Sequence, residues 1–254
     1  MKTMRTLSVV VGVGLLVMLT QVRAADAADI KVLCSNGLKA VVEELVPQFE
    51  QATKNKVVVT YTLAATIKQK IEAGEAFDVA FVTPTVMDDL IKSGKIAAGT
   101  RAVIARTGLA VATRAGGRKP DIKTVDAFKK ALLDAKSLVY AKEGASGVAF
   151  AATIQKLGIA DALKSKSKLT ATGDEVGESV VKGESEFAIL PVSEIVPLRG
   201  AEMVGAFPAD VQTYIVMVGG ASAASKQGAA GKELIAFLTA PGALPVIKAK
   251  GMER

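Results

Sequence analysis

Short apolar segments alternate with amphipathic helical segments along the chain from residue 30 onward, and this alternation constrains the fold more than any other sequence feature. The first apolar segment is Ile30–Leu33. Apolar residues then recur at i, i+3, i+4, i+7 and i+11, a spacing that places one apolar stripe on a helix: Leu38, Val41, Val42, Leu45 and Phe49. The alternation predicts an α/β fold in which helices cover mainly parallel sheets.

The same pattern continues to the C-terminus. Further strands are predicted at Lys56–Leu63, Val79–Val82, Leu109–Ala112, Leu138–Tyr140, Phe187–Leu190 and within the β-rich run Val211–Val218. Helices are predicted at Thr66–Ala73, from Pro84 to near Gly94, at Val125–Leu133, Val148–Leu157 and Glu175–Val181, through Leu234–Leu238, and from Pro241 towards Lys250. Neither an internal repeat nor a low-complexity segment interrupts this order.

Two lobes would have to be joined by crossing strands, because the sequence contains no linker rich in proline or serine. Ala105–Val111 and Val211–Val216 are long β-capable runs suited to that role. We therefore expect lobe 1 to comprise residues 28–107 and 213–254, and lobe 2 to comprise residues 108–212. Each lobe is expected to hold a mainly parallel sheet flanked by helices. A single doubly wound domain is the alternative.

The N-terminus has the pattern of an export signal. Lys2 and Arg5 precede the apolar run Leu7–Leu19, and small residues follow at 22–27. The run is shorter than the roughly 20 residues that span a bilayer, so we predict a cleaved signal peptide at residues 1–27 and a protein free in the periplasm. An uncleaved membrane anchor is the alternative.

Composition excludes several classes of function. The chain has no histidine and one cysteine, Cys34, which removes the common general base, most zinc ligands and any internal disulfide. Its net charge is +7; residues 1–27 contain three basic residues and one acidic residue, which leaves +5. The basic residues are dispersed and aromatic residues make up 4%. We therefore expect no metal, no cofactor and no nucleic-acid partner, but a small anion.

Five segments in a fixed order resemble the periplasmic molybdate-binding protein family, within the type II substrate-binding proteins of ABC transporters. The resemblance covers nearly all of the chain after residue 28. It is carried by Val32–Leu38, by Lys70–Gly74 before Phe77-Asp78-Val79, by Gly144–Phe150 before Lys156-Leu157-Gly158, by Ala188–Glu194, and by Phe237-Leu238 before Pro241-Gly242-Ala243. It implies a two-lobe fold with a ligand cleft between the lobes.

The resemblance also implies a set of ligand-binding residues, because the family holds its oxyanion with neutral donors from loops and helix N-termini. The family's two binding serines fall on Gly37 and on Ala64 or Ala65, and its binding tyrosine falls on Pro191. The hydroxyl groups at these positions are absent, which favours a different anion. The predicted ligand-binding residues are Ser35, Asn36, Gly37, Ala65, Thr66, Ser146, Gly147, Val176 and Pro191.

These residues have different expected roles. Gly37, Ala65, Ser146 and Val176 would offer backbone N–H groups, while the side chains of Ser35, Asn36, Thr66 and Ser146 would bind directly. Gly147 would allow a close backbone approach, and Pro191 would shape the wall. Helix capping and simple turns are the alternative explanation for the polar residues.

We expect a periplasmic substrate-binding protein of an ABC importer that closes over an oxyanion or a small organic acid and presents it to the membrane permease. It is expected to act as a monomer and not to be an enzyme, since no nucleophile lies beside a base and no carboxylate pair is evident. Alternatives are a true molybdate or tungstate carrier, a ligand-binding sensor or adhesin domain, and a hydrolase or transferase on the same scaffold.

Overall fold

A computed structural model describes residues 29–254, so the predicted signal peptide at residues 1–27 lies outside the described part of the chain. The strands are β1 (Asp29–Ser35), β2 (Lys56–Thr62), β3 (Val79–Val82), β4 (Ala102–Arg114), β5 (Leu138–Ala141), β6 (Ser167–Thr170), β7 (Phe187–Pro191), β8 (Ala201–Ala206) and β9 (Tyr214–Ala221).

The α-helices lie between these strands and after the last of them. They are α1 (Lys39–Thr53), α2 (Ala64–Glu72), α3 (Pro84–Lys92), α4 (Val125–Asp134), α5 (Ala145–Lys156), α6 (Ala160–Lys164), α7 (Gly173–Val181), α8 (Val192–Ile195), α9 (Gly228–Thr239) and α10 (Leu244–Ala249). A 3₁₀ turn, Asn36–Leu38, connects β1 to α1. Thr83 precedes α3 in extended backbone with Pro84 at the first helical position, as predicted.

The strands of residues 29–254 follow the order β2-β1-β3-β9-β4-β7-β5-β6, with β8 also pairing with β4. Pairings near both ends of this order are parallel: β1 with β2 and β3, and β5 with β6 and β7. The pairings that involve β4 or β9 are antiparallel. The molecule is therefore an α/β protein whose parallel strands are grouped on either side of an antiparallel centre.

Strand β4 belongs to both sides of this arrangement. Its first part pairs with β9, from Ala102 to Gly108, and its second part pairs with β7 and β8, from Leu109 to Arg114. The return connection contains Phe207 and the 3₁₀ turn Ala209–Val211 rather than continuous strand. The predicted lobe boundaries near residues 107 and 212 stay a prediction.

Apolar side chains form cores on both sides of the sheet. The largest fully buried side chains include five phenylalanines: Phe49, Phe81, Phe128, Phe150 and Phe187. Phe128 and Phe207 pack with ring centroids 4.6 Å apart, and Phe49 packs on Phe237 at 5.6 Å. Each ring removes a large apolar area from water, so these pairs hold α1 against α9 and α4 against the segment that follows β8.

Four short elements were absent from the sequence-based prediction: β6, α6, α8 and β8. Strand β6 ends the strand order and its four residues are half-buried or exposed, so it carries no apolar pattern. Strand β8 contains alanine and glycine and likewise has no fully buried residue. The predicted β-rich run from Val211 begins as strand only at Tyr214.

Within residues 29–254 no single helix is long and apolar enough to cross a membrane, although α9 together with Pro241–Ala249 reaches the required length and hydropathy across a 57° bend. In the described structure Leu234, Leu238 and Ile247 of this pair are buried in the core.

Gly147 lies in the first turn of α5, where the helix packs against the end of β5. A Cβ atom on Gly147 would lie 1.6 Å from the carbonyl oxygen of Ala141. We expect Gly147→Ala to destabilise the protein by at least about 2 kcal/mol, because the helix would have to move away from the strand. Urea denaturation measures the change.

Gly228→Ala is the matched control, since Gly228 also opens a helix but has open space around it. This variant should keep the parent's stability or gain up to about 1 kcal/mol. Equal destabilisation by both substitutions would contradict the packing explanation.

Candidate functional site

Four strands end where polar loops lead into helices. The 3₁₀ turn and α1 follow β1, α2 follows β2, α5 follows β5, and α7 follows β6. The first N–H groups of a helix lack partners within the helix, and its dipole favours negative charge there. The arrangement thus offers several donor-rich helix starts at the carboxyl ends of parallel strands.

Three of these loops line a cavity of about 420 Å³, which we name the threonine cleft. Thr62, Leu63 and Thr66 come from the β2–α2 loop. Lys142 and Glu143 follow β5, and Leu169–Thr172 precede α7. The cleft therefore takes its walls from both predicted lobes.

Hydrogen bonds hold the α7 side of the threonine cleft in place. Thr172 Oγ1 accepts the Glu175 N–H at 3.2 Å, and Glu175 Oε2 accepts the Ala171 N–H at 3.0 Å. This reciprocal pattern resembles a capping box, except that Glu175 accepts the N–H of the residue before the N-cap rather than that of the N-cap Thr172 itself. Thr170 Oγ1 donates to the Thr172 carbonyl at 3.0 Å. The loop is thus fixed before any ligand arrives.

The opposite wall retains free hydrogen-bonding capacity. Within residues 29–254 the hydroxyl groups of Thr62 and Thr66 have no hydrogen-bond partner, and both residues are half-buried. Lys142, which is exposed, supplies a positive charge at the same cavity. Glu143, the next residue, is also exposed at the cavity and offsets this charge, so the neutral hydroxyls and helix starts are the groups suited to a small anion.

A second cavity of about 240 Å³, which we name the acidic pocket, is lined in part by Asp174 of the first turn of α7. Its walls come from the start of α1, from α7, and from α8 with the residues that follow it. They are Asn36, Lys39, Ala40, Glu43, Asp174, Ser193, Glu194, Pro197 and Leu198.

Glu194 is the most perturbed carboxyl group of the acidic pocket. Burial raises its pKa from about 4.5 to about 7, and the negative charge of Asp174 adds to the increase. The ammonium group of Lys39 acts in the opposite direction and lowers this pKa. Glu194 can therefore hold or release a proton near neutral pH.

Cys34 and Tyr61 lie behind the acidic pocket. Burial raises the pKa of the Cys34 thiol far above its usual range, and Glu43 contributes to the increase. Burial also raises the pKa of Tyr61, with further contributions from Cys34 and Glu43. The ammonium group of Lys39 lies 5.8 Å from the centre of the Tyr61 ring. The Cys34 thiol stays protonated and makes a poor nucleophile.

The structure places two of the predicted site residues in cavity walls: Asn36 in the acidic pocket and Thr66 in the threonine cleft. Ser35 and Gly37 are buried beside Asn36, and the Gly37 carbonyl accepts the Ser193 hydroxyl at 3.1 Å. Ala65 is exposed in the first turn of α2, next to Thr66.

The remaining predicted residues have packing contacts. Ser146 and Gly147 lie in the first turn of α5 rather than in a loop, and the close approach of Gly147 is to Ala141. Val176 is buried and its N–H donates to the Thr172 carbonyl at 3.3 Å, so this N–H is already bonded. Pro191 ends β7 and is buried. Ligand contact by all nine residues stays a prediction.

The sequence analysis missed Lys39, Asp174 and Glu194. Asp174 directly precedes the predicted helix Glu175–Val181, and α8, which carries Glu194, was not predicted at all. The available signal was the position of Glu194 three residues after Pro191, which directly follows the predicted strand Phe187–Leu190. Among residues 29–254 no group of three or more histidine, cysteine, aspartate or glutamate residues is placed to hold a metal ion.

Comparisons with known proteins agree with the fold. The family model for bacterial extracellular solute-binding proteins matches residues 30–253. The solved periplasmic molybdate-binding protein of Azotobacter vinelandii superposes with a TM-score of 0.76 at 19% identity, over 89% of this chain and 99% of that chain. The predicted fold class, that of type II periplasmic binding proteins, is confirmed.

Two relatives match at the sequence level. One is the molybdate-binding protein ModA of Azotobacter vinelandii, 27% identical over 96% of both chains. The other is named aconitate isomerase, from Pseudomonas sp., and is 27% identical over 91% of this chain and 89% of its own length. The predicted resemblance to molybdate-binding proteins is confirmed.

The isomerase relative contradicts the expectation that the chain is not an enzyme. That expectation rested on missing histidine and on the lack of a carboxylate pair near the cleft. The structure shows that Asp174 and Glu194, 20 positions apart in sequence, interact in one pocket. Glu194 is therefore a group that titrates near neutral pH in a chain without histidine.

Glu194→Gln tests the electrostatics of the acidic pocket. The folded protein raises the pKa of Glu194 above its unfolded value, so Glu194 contributes most to stability below about pH 4.5, and this contribution is lost as the pH rises through about 7. Glutamine is neutral at every pH. The free energy of unfolding of the variant, measured with urea, should therefore exceed that of the parent at pH 8.5 by more than at pH 5.

Glu72→Gln provides the control, because Glu72 is exposed on α2 and its ion pair with Lys68 is long, at 3.9 Å. Its effect should be small and nearly independent of pH. The same difference from the parent at pH 5 and pH 8.5 in Glu194→Gln would show that the pKa of Glu194 is not raised.

Proposed function

Because the chain belongs to the bacterial extracellular solute-binding protein family, we propose that it binds a small anion in the periplasm and delivers it to the permease of an ABC importer. The threonine cleft is the proposed anion site. It combines the start of α2, the capped start of α7 and the free hydroxyls of Thr62 and Thr66, with the charges of Lys142 and Glu143 at its wall. The protein works as a monomer.

The size of the cleft favours a small organic acid over a tetrahedral oxyanion. Pockets that bury small organic molecules measure roughly 300–1,000 Å³, and the threonine cleft measures about 420 Å³. A relative is named for its activity on aconitate, an organic acid. Molybdate or tungstate is the alternative anion, supported by the relative that is named for molybdate.

Anion capture would favour the arrangement in which both predicted lobes contact the ligand. Thr62 and Thr66 precede residue 107, whereas Lys142 and Thr172 follow it, so the cleft is complete only when the two sides are close. The anion would shift the population towards this closed arrangement through contacts that the open arrangement cannot make. The permease would then recognise the closed form.

Thermal denaturation with candidate anions tests the proposed site. A ligand present at about 100 times its Kd adds roughly 2.7 kcal/mol to stability. We expect citrate or aconitate to stabilise the protein more than molybdate or sulfate. Thr66→Val removes one hydroxyl and should weaken binding of the best anion on the order of tenfold, since hydrogen bonds to charged groups contribute roughly 1.5–3 kcal/mol.

Thr60→Val is the control on the neighbouring strand β2, where Thr60 is exposed and lines neither cavity. It should leave anion affinity unchanged. Equal affinity of Thr66→Val and the parent would place the anion elsewhere, and stabilisation by molybdate alone would reject the organic acid.

A second candidate function is isomerisation of an unsaturated organic acid, and the observation that favours it is the pKa of Glu194 near 7. Moving a double bond requires removal of a proton from one carbon and its return to another. A carboxyl group whose pKa is near the working pH can perform both steps. Asp174, in the first turn of α7, and Glu194 line the acidic pocket, while Leu169–Thr172, the segment directly before α7, line the threonine cleft.

Proton NMR with cis-aconitate in D₂O tests this activity. The parent should form the trans isomer, and Glu194→Gln should be slower by at least about 100-fold, the usual contribution of a general base. Glu72→Gln should match the parent. Conversion at the parent's rate by Glu194→Gln would remove Glu194 from the reaction, and no conversion by the parent would reject this second function.

A further inference from the structure

We infer that a cavity at the amino ends of strands β5 and β7 is a second binding site, for the tetrahedral dianion of free phosphate or of a phosphorylated small molecule. This cavity, which we name the basic cavity, measures about 500 Å³. Its walls are the end of β4 with the turn after it, the segment between α4 and β5, and the segment between α7 and β7. The threonine cleft lies at the opposite end of β5, so the two sites are separate.

A buried hydroxyl group of β4 reaches the basic cavity without a hydrogen-bond partner. Thr113 is 1% exposed, and within residues 29–254 nothing bonds to its Oγ1. Every side-chain polar atom that is sealed from solvent in this part of the chain has a partner, so Oγ1 must open onto the cavity that Thr113 lines. It points at the turn after β4, where a Cβ atom on Gly117 would clash with it. Because an unpaired polar group in such a place costs free energy, a ligand oxygen would supply the missing partner.

Two positively charged side chains of the wall lack an acidic partner. Arg114 ends β4, and its guanidinium group lies over the turn after α7, 3.6 Å from where a Cβ atom on Gly183 would be. Lys136 directly precedes β5 by two residues and is exposed. Neither side chain has an ion pair or a hydrogen bond within residues 29–254. Two unmatched positive charges favour a ligand that carries two negative charges.

The two carboxylates in the wall are already bonded to other groups. Glu186 accepts Nε of Arg118 at 2.7 Å on one oxygen and the Lys136 N–H at 2.6 Å on the other. Asp134 pairs with Lys130 at 2.7 Å. Each carboxylate thus has its own cation, and the two cations described above remain available to a ligand.

Further donors are held in place around these two cations. The guanidinium carbon of Arg118 lies 5.0 Å from the centre of the Phe187 ring, and only its Nε is bonded to Glu186. Ser137 Oγ accepts the Glu186 N–H at 3.0 Å, and its own hydroxyl hydrogen has no acceptor within the described chain. Planar guanidinium groups and hydroxyls are donors that proteins commonly use for phosphate.

The size of the basic cavity admits more than a bare ion. Pockets for small organic molecules measure roughly 300–1,000 Å³, and this cavity measures about 500 Å³. A phosphate monoester and free phosphate share the dianionic tetrahedral group that the donors would recognise. The site does not depend on the proposed anion site at the threonine cleft.

Amide NMR titrations at pH 8 test the site, since phosphate and its monoesters then carry about two negative charges. Sodium phosphate and glycerol 3-phosphate are the two probes, and sodium chloride keeps the ionic strength constant. Both should shift the signals of residues 113–118, 136–137 and 183–186 to saturation. Acetate, with one charge, should bind there at least about tenfold more weakly. Tighter binding of glycerol 3-phosphate identifies a phosphorylated molecule, and equal binding identifies the free ion.

Thr113→Val removes the unpaired hydroxyl and keeps the shape of the side chain. It should weaken phosphate binding on the order of tenfold, because one hydrogen bond to a charged ligand is lost. Without phosphate, the variant should be at least as stable to urea as the parent, since its folded form loses no hydrogen bond. A threonine with only a structural role would give the opposite result in both measurements.

Arg114→Met and Lys136→Met each remove one unmatched cation and should also weaken phosphate binding on the order of tenfold. Lys123→Met is the matched control, because Lys123 is exposed, has no ion pair within the described chain and lies outside the basic cavity. It should bind phosphate as the parent does.

Phosphate shifts that are confined to the threonine cleft would overturn the inference, and so would unchanged affinity in Thr113→Val and Arg114→Met. The signals are resolved by residue, so binding at one cavity is distinguished from binding at the other. Failure of the basic cavity therefore leaves the proposed function intact, and failure of the threonine cleft leaves this inference intact.

Discussion

The pairing of strand β4 with partners on both of its halves is the constraint on which the rest of the structure depends. Residues Ala102–Gly108 pair with β9, and Leu109–Arg114 pair with β7 and β8. One strand thereby connects the two groups of parallel strands. The loops at the carboxyl ends of both groups supply the walls of the threonine cleft.

Two sites of different chemistry result from this geometry. The threonine cleft offers neutral hydroxyl and N–H donors, with Lys142 and Glu143 at its wall. The acidic pocket, lined in part by Asp174 of α7, contains Glu194 with a pKa of about 7. A family defined by solute binding thus has, in this chain, a group that can carry a proton. The relative named aconitate isomerase is consistent with such a group having a role.

Burial explains only some of the outcomes of the sequence-based prediction, since β2 was predicted without a fully buried residue and α8 was missed although Ser193 and Ile195 are buried. Strands β3 and β7 are buried at every position and were placed within one residue, whereas β6 has no buried residue. Thr66 and Asn36 were predicted as site residues because the alternation of apolar and amphipathic segments shows where a strand leads into a helix. The raised pKa of Glu194 was not predictable, since it arises from burial and from Asp174, a tertiary neighbour.

The crystal structure of the protein with citrate or aconitate is the most direct test of the central claim, that an anion is held between loops from both sides of β4. We expect the anion in the threonine cleft, within hydrogen-bond distance of Thr66 and of the β6–α7 loop. A cavity of about 590 Å³ on another part of the surface, lined by Lys31, Asp78 and Lys95 among others, is the alternative location. An anion bound there, with the threonine cleft empty, would contradict the account.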